Sequence, residues 1–491
     1  MRELLRAAFK TGSGTAISMA LTVISSKIMA VITGPAGIGL YSMLQQIYQT
    51  ATAAGSIGGG ATALTQGVAC KKNEARAEFI RTVFWIFAVA LLAVVVVLLI
   101  FAPWIASATL GASDEASIGL VRWIALPLIF SVANIYLSSV LNGHREIGRL
   151  ALVLVAGSAV NAIISYPISS LVNTGYPIAF VWMFTAQLLV QVTVSLGKCY
   201  HKGYLRPIWC RGLRPKIEKA SASSFFNLAG TLLITGIFSN IVLLVIRSLI
   251  VQYDGLANAG IFNVAWLICI AYPTLALNSI GTYYFPTLSQ LNDQQKRIDL
   301  MRNVFRLTTL VITPLLVIMI MLKPLVIDVL YSNQFYASLD ILRWMLIGVY
   351  LMAAYWIISM PVLAYPNMRI FFWTQNLWWG GMLLFAFLGV AVLGSMELIG
   401  VGFIILYVPS LAYYVHYSQS RHGIALTKRL TFTWFSGLAL VVAASVTSWS
   451  ENRTNWLLTI FWLTATALFM WLSLSRDERK KLLQIITRSK M

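Results

Sequence analysis

The chain has 491 residues, of which 59% are hydrophobic and only 11% charged, and this composition excludes an ordinary water-soluble globular protein. The formal net charge of +20 could indicate nucleic-acid binding, but the basic residues lie in short stretches between long apolar runs. A run of about 20 apolar residues is long enough for a helix to cross the roughly 30 Å hydrocarbon layer of a membrane. The sequence therefore predicts an all-α polytopic membrane protein that does not bind nucleic acid.

Hydropathy predicts fourteen membrane spans. The first begins near Thr11 and continues too far to be the apolar core of a cleavable signal peptide. Several spans are longer than a perpendicular helix needs, so we expect tilts, kinks or extensions beyond the bilayer. In chain order the predicted spans are 11–33, 38–68, 82–108, 118–141, 150–172, 177–198, 221–250, 259–290, 307–331, 339–365, 371–394, 398–418, 431–449 and 456–475.

The basic residues fall almost entirely on one side of the predicted membrane. The two terminal segments and every second loop hold 30 of the 36 Lys and Arg residues. Loops rich in Lys and Arg stay in the cytoplasm, so both termini are predicted to be cytoplasmic. The opposite loops are short and carry acidic residues instead, among them Asp114, Asp254 and Glu451.

Short sequence matches recur in the same order at an offset of 221 in the numbering, as in RTVF at 81–84 and RNVF at 302–305. The other pairs are Pro103 with Pro324, Arg122 with Arg343 and, at an offset of 220, Lys27 with Arg247. A near-constant offset over four pairs predicts duplication of a six-helix unit. Because each repeat has an even number of spans, the two share one topology and are related by a pseudo-two-fold axis along the membrane normal.

This duplication predicts four parts in the chain. Residues 1–200 form an N-terminal six-helix lobe and residues 221–418 a C-terminal six-helix lobe. Residues 201–220 form a basic cytoplasmic linker, and residues 419–491 hold two extra spans and a cytoplasmic tail. The basic linker fits a topology determinant beside anionic headgroups. It also fits a contact for a phosphorylated ligand or for a cytoplasmic glycosyltransferase.

Four cations in or beside predicted spans are candidates for ligand binding. Lys27 and Arg247 lie inside spans at matching places of the two repeats. A cation at the bilayer centre costs about 2.5–3.5 kcal/mol, so it normally faces a cavity or a partner. The pair could snorkel to the outer surface, or face each other across the two-fold axis, which their recurrence favours. Arg122 and Arg343, each followed by Trp, fit interfacial anchors or the mouth of a central cavity.

These residue types favour an anionic ligand and no catalysis. No Asp or Glu lies deep in a predicted span, whereas cation-coupled antiporters generally need a buried carboxylate. Arg and Lys suit a pyrophosphate. The polar residues Gln45, Gln46, Gln49 and Asn134 could bind sugar hydroxyls or join helices. The absence of a Walker A sequence and of metal-ligand spacing predicts no catalytic residues, no cofactor and no metal.

Five segments carry a resemblance to a known family. They are KIMAVITGPAGIGLY at 27–41, GLVRWIALP at 119–127, YLRPIW at 204–209, YYFPTLSQL at 283–291 and VLYSNQF at 329–335. Together they resemble Wzx-type translocases, a family that includes O-antigen flippases and the lipid III flippase of enterobacterial common antigen. The family lies within the multidrug/oligosaccharidyl-lipid/polysaccharide (MOP) exporter superfamily. The similarity extends from residue 1 to about residue 418, so the last two spans fall outside it.

The resemblance implies a flippase of the bacterial inner membrane that serves lipopolysaccharide or related polysaccharide biosynthesis. Its substrate would be an undecaprenyl-pyrophosphate-linked oligosaccharide repeat unit of the O-antigen or enterobacterial-common-antigen type. The unit would move from the cytoplasmic to the periplasmic face by alternating access of a V-shaped, two-lobe fold. Membrane lipids, an O-antigen polymerase and a chain-length regulator would be its partners.

Two alternatives remain open on the sequence. A multidrug or metabolite antiporter of the same superfamily would be favoured by a buried carboxylate in the N-terminal half, and none is visible. A membrane glycosyltransferase or O-antigen polymerase would be expected to have a large periplasmic loop, whereas the outer loops here are short.

Overall fold

The computed structural model describes the backbone of residues 2–71, 73–205, 218–291, 293–364, 368–423, 426–449 and 454–474, and these ranges contain no strand. A short 3-10 turn at Asn333–Phe335 and a π-helical turn at Phe387–Val392 accompany the α-helices. The α-helices are α1 Arg2–Gly55, α2 Gly60–Cys70, α3 Asn73–Ile100, α4 Ala102–Leu110, α5 Glu115–Trp123, α6 Ala125–Gly143, α7 Ile147–Asn173, α8 Ala179–His201, α9 Lys219–Gln290, α10 Gln294–Met321, α11 Lys323–Leu330, α12 Ser338–Ala364, α13 Met368–Ala386, α14 Glu397–His422, α15 Lys428–Thr447 and α16 Trp456–Ser473.

Two of these helices are kinked at a glycine. The backbone of α1 leaves the helical region at Gly34, with φ 63° and ψ −168°, and that of α9 at Gly255, with φ 83° and ψ 172°. Glycine has no Cβ and adopts a positive φ at little cost. At 1.5 Å per residue, the 54 residues of α1 would make a rod more than twice as long as the hydrocarbon layer is thick. Each kinked helix therefore contains enough residues for two spans.

The predicted all-α membrane fold is confirmed. In the described ranges, twelve helices are long and apolar enough to cross a membrane, and two of these stretches, Gly14–Gly55 and Leu232–Ile270, contain the kinks. Dividing both at their glycines gives fourteen segments, which is the number expected from hydropathy. The number of actual crossings and their sidedness remain predictions.

Helix boundaries recur at the spacing of the sequence matches. The start of α10 follows that of α3 at the offset of 221, and the same offset relates α11 to α4, α13 to α7, and the kink at Gly255 to the kink at Gly34. Pro103 and Pro324 both stand at the second position of a helix, where a missing N–H breaks no helical hydrogen bond. The proline pair and the RTVF and RNVF motifs thus lie in helices whose starts match in the two halves.

By Cα proximity the chain divides into two compact units. The first unit comprises Met1–Asn263 with Leu330–Gln334, and the second comprises Val264–Val329 with Phe335–Met491. The arm of α9 before its kink therefore belongs to the first unit. These units are defined by spatial proximity, whereas the lobes at 1–200 and 221–418 are predicted from sequence repetition. The two lobes therefore stay a prediction. Most of the predicted linker and the cytoplasmic tail, at 206–217 and 475–491, lie outside the described residues.

Each unit has its own apolar interior. In the first, aromatic residues of α3, α6 and α9 meet edge to face, with 6.1 Å between the ring centroids of Phe87 and both Tyr136 and Phe225. In the second, α12 is the most buried apolar helix of the described chain. The extra helix α15 packs on it, and the Tyr350 hydroxyl donates a 2.8 Å hydrogen bond to the Trp434 carbonyl.

Candidate functional site

The two kinked helices cross inside the first unit through a glycine contact. A Cβ placed on Gly39 would lie 1.8 Å from the carbonyl oxygen of Leu256. A Cβ on Gly260 would lie 2.1 Å from the carbonyl oxygen of Pro35. Leu256 is the repeat equivalent of Pro35, and Gly260 that of Gly39, both at the offset of 221, so the contact is reciprocal. Reciprocal contacts of this kind are the signature of a two-fold relation.

Arg247 lies next to this crossing and is 4% exposed. Its Nη1 donates to the Ser42 carbonyl at 2.8 Å, and its Nη2 donates to Asn263 Oδ1 at 3.0 Å. Ser42 and Asn263 are also related by the offset of 221. The guanidinium therefore bridges two positions that the offset of 221 makes equivalent.

The positive charge of Arg247 is not neutralised by a carboxylate in the described part of the chain. Both of its acceptors are neutral, and it forms no ion pair with a described residue. Its Nε is buried and has no hydrogen-bond partner among the described residues. A buried cation held by neutral groups alone retains an attraction for an anion.

Lys27 occupies the matching place in α1 and is half-buried. Its Nζ donates to the carbonyl oxygen of Tyr331, which belongs to the first unit although it comes from the second half of the sequence. Each of the two cations therefore donates to a backbone carbonyl from the other half, since Arg247 donates to Ser42. Their exposure and bonding favour inward-facing partners over snorkelling to the surface.

Arg343 has a different environment within the second unit. Its Nη2 lies 3.0 Å from Asp340 Oδ1 and 3.2 Å from Glu397 Oε1. Its guanidinium carbon lies 4.4 Å from the ring centroid of Trp449, and Nη1 donates to the Trp449 carbonyl at 3.2 Å. Arg122 and Trp123, by contrast, are exposed. The contacts of Arg343 and the exposure of Arg122 fit interfacial anchors, and a place for either arginine in a central cavity stays a prediction.

The four polar candidates for sugar contact divide into two groups. Gln46 is buried and donates to the Asn240 carbonyl at 3.2 Å, which joins α1 to α9. Asn134 donates to Gln191 Oε1 at 2.9 Å, which joins α6 to α8. These two side chains act between helices. Gln45 is half-buried and Gln49 is exposed, and their role as sugar contacts stays a prediction.

Three residues of this site are not predicted by the sequence patterns. They are Asn263, which accepts from Arg247, and the glycines Gly39 and Gly260 at the helix crossing. The repeat offset could have found all three, because each is the repeat equivalent of another member of the same contact. The offset was recognised from identical or similar residues, however, and Ser42 and Asn263 differ in type.

Comparison with known proteins agrees with this fold. Residues 16–340 match the family described as polysaccharide biosynthesis protein. The lipid III flippases of Escherichia coli (strain K12) and Shigella flexneri are each 25% identical to the chain over 379 residues, which is 75% of this chain and 87% of either relative.

Two solved structures show the same fold at low sequence identity. The lipid II flippase MurJ, in an inward closed conformation, superposes with a TM-score of 0.74 and 15% identity over 96% of this chain and 99% of its own. An inward-facing multidrug resistance MATE family transporter of the MOP superfamily superposes with a TM-score of 0.63 and 14% identity, over 85% of this chain and 98% of its own.

The family match covers more than half of the chain. Twelve helices of the described residues are apolar and long enough to span a membrane, and the fold is MurJ-like and MATE-like. These findings place the protein in the inner membrane as a multi-pass protein, as the sequence predicts. The chain belongs to the polysaccharide biosynthesis protein family of membrane proteins, with the fold of the MOP superfamily.

Proposed function

We propose that this protein is a flippase for lipid-linked oligosaccharides and that Arg247 and Lys27 hold the pyrophosphate of its substrate. The observation that carries the proposal is the position of Arg247, a buried cation that bridges equivalent residues of two repeats without a described counter-charge. An anion bound there would contact both repeats together. Binding could thereby be coupled to their relative movement.

The bonding partners of the two cations suit an exchange of ligands. Arg247 and Lys27 each donate to a backbone carbonyl, which is a weaker partner than a carboxylate or phosphate because it carries no net charge. A pyrophosphate could replace those carbonyls as the acceptor. Arg gives a planar fork of donors, and Lys gives a point charge on a flexible stem, so one anion can accept from both.

The relatives support the class of substrate. The two curated relatives are lipid III flippases, and MurJ is a lipid II flippase. We therefore propose that the substrate is an undecaprenyl-pyrophosphate-linked repeat unit of the O-antigen or enterobacterial-common-antigen type, carried from the cytoplasmic to the periplasmic face by alternating access. An O-antigen polymerase and a chain-length regulator stay predicted partners.

The antiporter alternative has less support from the charges. The MATE structures show that the fold also serves multidrug transport. A site for Na⁺ or H⁺ needs a buried carboxylate, and among the described side chains no Asp or Glu is buried. Among the described residues, the buried charged side chains are the cations Arg247 and Lys323. The electrostatics of the described residues thus favour an anionic substrate.

A reconstituted flipping assay tests the proposal. Vesicles would contain the purified protein and a polyprenyl-pyrophosphate-linked oligosaccharide in both leaflets, and membrane-impermeant periodate would oxidise the outward-facing sugars. We expect the protein to expose the inner-leaflet sugars and the Arg247→Ala variant to leave them protected, while Arg145→Ala at an exposed site behaves as wild type. If the wild-type protein leaves the inner-leaflet sugars protected as in empty vesicles, the flippase proposal is wrong.

A further inference from the structure

After its kink at Gly34, helix α1 carries aromatic and amide side chains on one side. Tyr41, Gln45 and Tyr48 are separated by four and then three residues, and Gln49 follows Gln45 by four. This spacing puts all four side chains on one side of the helix, here called the tyrosine–glutamine face. Tyr41, Gln45 and Tyr48 are half-buried, and Gln49 is exposed. The face is therefore partly open to a ligand.

The two tyrosine rings are supported by helix α8. The ring centroid of Tyr48 lies 5.1 Å from that of Phe184, and the ring of Tyr41 lies 5.0 Å from Phe184 and 5.4 Å from Phe180. Both phenylalanines are buried, whereas the tyrosines are partly exposed. Each tyrosine ring is thus fixed on one side and open on another. A ring that is already held in place loses little conformational entropy when a ligand binds to it.

The amides of this face lie within the second predicted span. Lipid chains offer no hydrogen bonds, so polar side chains in a span normally face the protein interior or a water-filled cavity. Gln46 points to another side of the helix and donates to the Asn240 carbonyl of α9. Gln45 and Gln49 both interact with the Tyr48 hydroxyl on their own helix. These two amides and the ring between them form one polar and aromatic surface.

The tyrosine–glutamine face continues from the place of Lys27. The Lys27 ammonium donates to the Tyr331 carbonyl. Tyr331 lies close enough to Tyr41 for their side chains to interact electrostatically, and so does Tyr48. All of these residues belong to the first unit. A cation is therefore followed by aromatic and amide groups, just as a pyrophosphate is followed by sugars in a lipid-linked oligosaccharide.

We propose that the tyrosine–glutamine face binds the sugar rings of the lipid-linked substrate. The electron-rich faces of Tyr41 and Tyr48 would stack on the C–H groups of sugar rings. The amides of Gln45 and Gln49 both donate and accept, as the hydroxyls at the rim of a sugar require. The two tyrosines lie about 10 Å apart along the helix, so they would contact different sugars. This inference rests on the proposed function, because it concerns the sugars of that substrate.

Binding of two lipids to the full-length protein, measured by native mass spectrometry, tests the inference. The probes are undecaprenyl pyrophosphate carrying an oligosaccharide and undecaprenyl pyrophosphate without sugars. Tyr48→Leu keeps an apolar side chain against Phe184 but removes the ring, so it should bind the first lipid about fivefold more weakly and the second unchanged. Tyr48→Phe keeps the ring and should bind both lipids nearly as wild type. Tyr166→Leu, at a tyrosine that is 66% exposed on α7, is the matched control and should bind both as wild type.

A second variant keeps the test decisive if Tyr48→Leu fails to fold. Gln49→Ala truncates an exposed side chain, and the loss of a hydrogen bond should weaken binding of the sugar-bearing lipid about fivefold. Equal losses for both lipids in this variant, or no loss for either, would overturn the inference.

Failure of the proposed function would give a different result. Arg247→Ala should weaken both lipids, because the pyrophosphate is common to them. If this variant bound both lipids as wild type, the pyrophosphate site would be wrong. A selective loss of the sugar-bearing lipid in Gln49→Ala would still support the tyrosine–glutamine face.

Discussion

Arg247 in the first unit and Arg343 in the second are both largely buried arginines, but their partners differ in charge. Arg247 is held by a carbonyl and an amide oxygen, whereas Arg343 touches two carboxylates and an indole ring. The first retains its net charge, and the second is neutralised by its own protein. A cation that is to bind and release an anionic ligand must resemble Arg247.

The partners of Arg343 explain why its counterpart Arg122 is different. Arg122 is exposed, although the Arg-Trp pair is the same in both repeats. Arg343 contacts Trp449, which lies just after the end of the extra helix α15. The first predicted repeat has no such helix to supply an equivalent. The two arginines match in sequence, but only Arg343 has an indole beside it. Matching position is evidence of common origin and does not by itself establish common function.

The largest expected effect is the loss of transport in Arg247→Ala. Removing a buried cation from its anionic ligand should cost about 100-fold in flipping rate, equivalent to roughly 2.7 kcal/mol. Arg247→Lys keeps the charge but loses the two-pronged donor, so an intermediate rate is expected. The measurement is flipping in vesicles, normalised to folded protein. Full activity of Arg247→Ala would show that the buried charge serves folding alone, and the contrast with Arg343 would lose its functional meaning.

The next largest effect is coupling between Lys27 and Arg247. If both contact one pyrophosphate, Lys27→Ala should also lose most transport, while Lys27→Arg should keep much of it. Residues that share a partner are not additive, so the double alanine variant should cost less than the sum of the single variants, by about 0.5–3 kcal/mol. This coupling energy is obtained from the flipping rates of the wild-type protein, the two single alanine variants and the double variant. Strictly additive losses would mean that the two cations act on separate groups.

The helix crossing beside Arg247 should be sensitive to a single methyl group. A Cβ at Gly260 would meet the Pro35 carbonyl at 2.1 Å, so Gly260→Ala must push the two helices apart. Overpacking of this kind costs about 1–3 kcal/mol. Thermal unfolding in detergent should show this loss of stability. The control is Gly255→Ala, because a Cβ there meets open space but the backbone has a positive φ. It measures the cost of backbone strain without the cost of crowding. Unchanged stability of Gly260→Ala would argue against the close crossing.

The sequence predicted the helices and the candidate cations better than it predicted the contacts of those cations. Hydropathy and charge predicted the all-α membrane fold, and the offset of 221 found in the sequence recurs in the starts of matched helices such as α3 and α10. The near-constant offset also drew attention to Lys27 and Arg247. It could not show that Arg343 meets Glu397, because the two are far apart in the sequence and meet only once α12 and α14 pack together. Tertiary pairing decides which cations stay uncompensated.

The smallest expected effect concerns Arg343 itself. Arg343→Ala removes pairs to Asp340 and Glu397, whose side chains are 54% and 40% exposed, so solvent screening limits the loss. With the cation–π contact included, we expect a stability loss of about 1–2 kcal/mol and a flipping rate per folded molecule near that of wild type. Arg122→Ala, at the matched exposed position, should change stability by less than about 0.5 kcal/mol. If Arg343→Ala instead stopped transport while its unfolding temperature stayed unchanged, a neutralised arginine would be part of the binding site. The charge contrast with Arg247 would then fail as a guide to function.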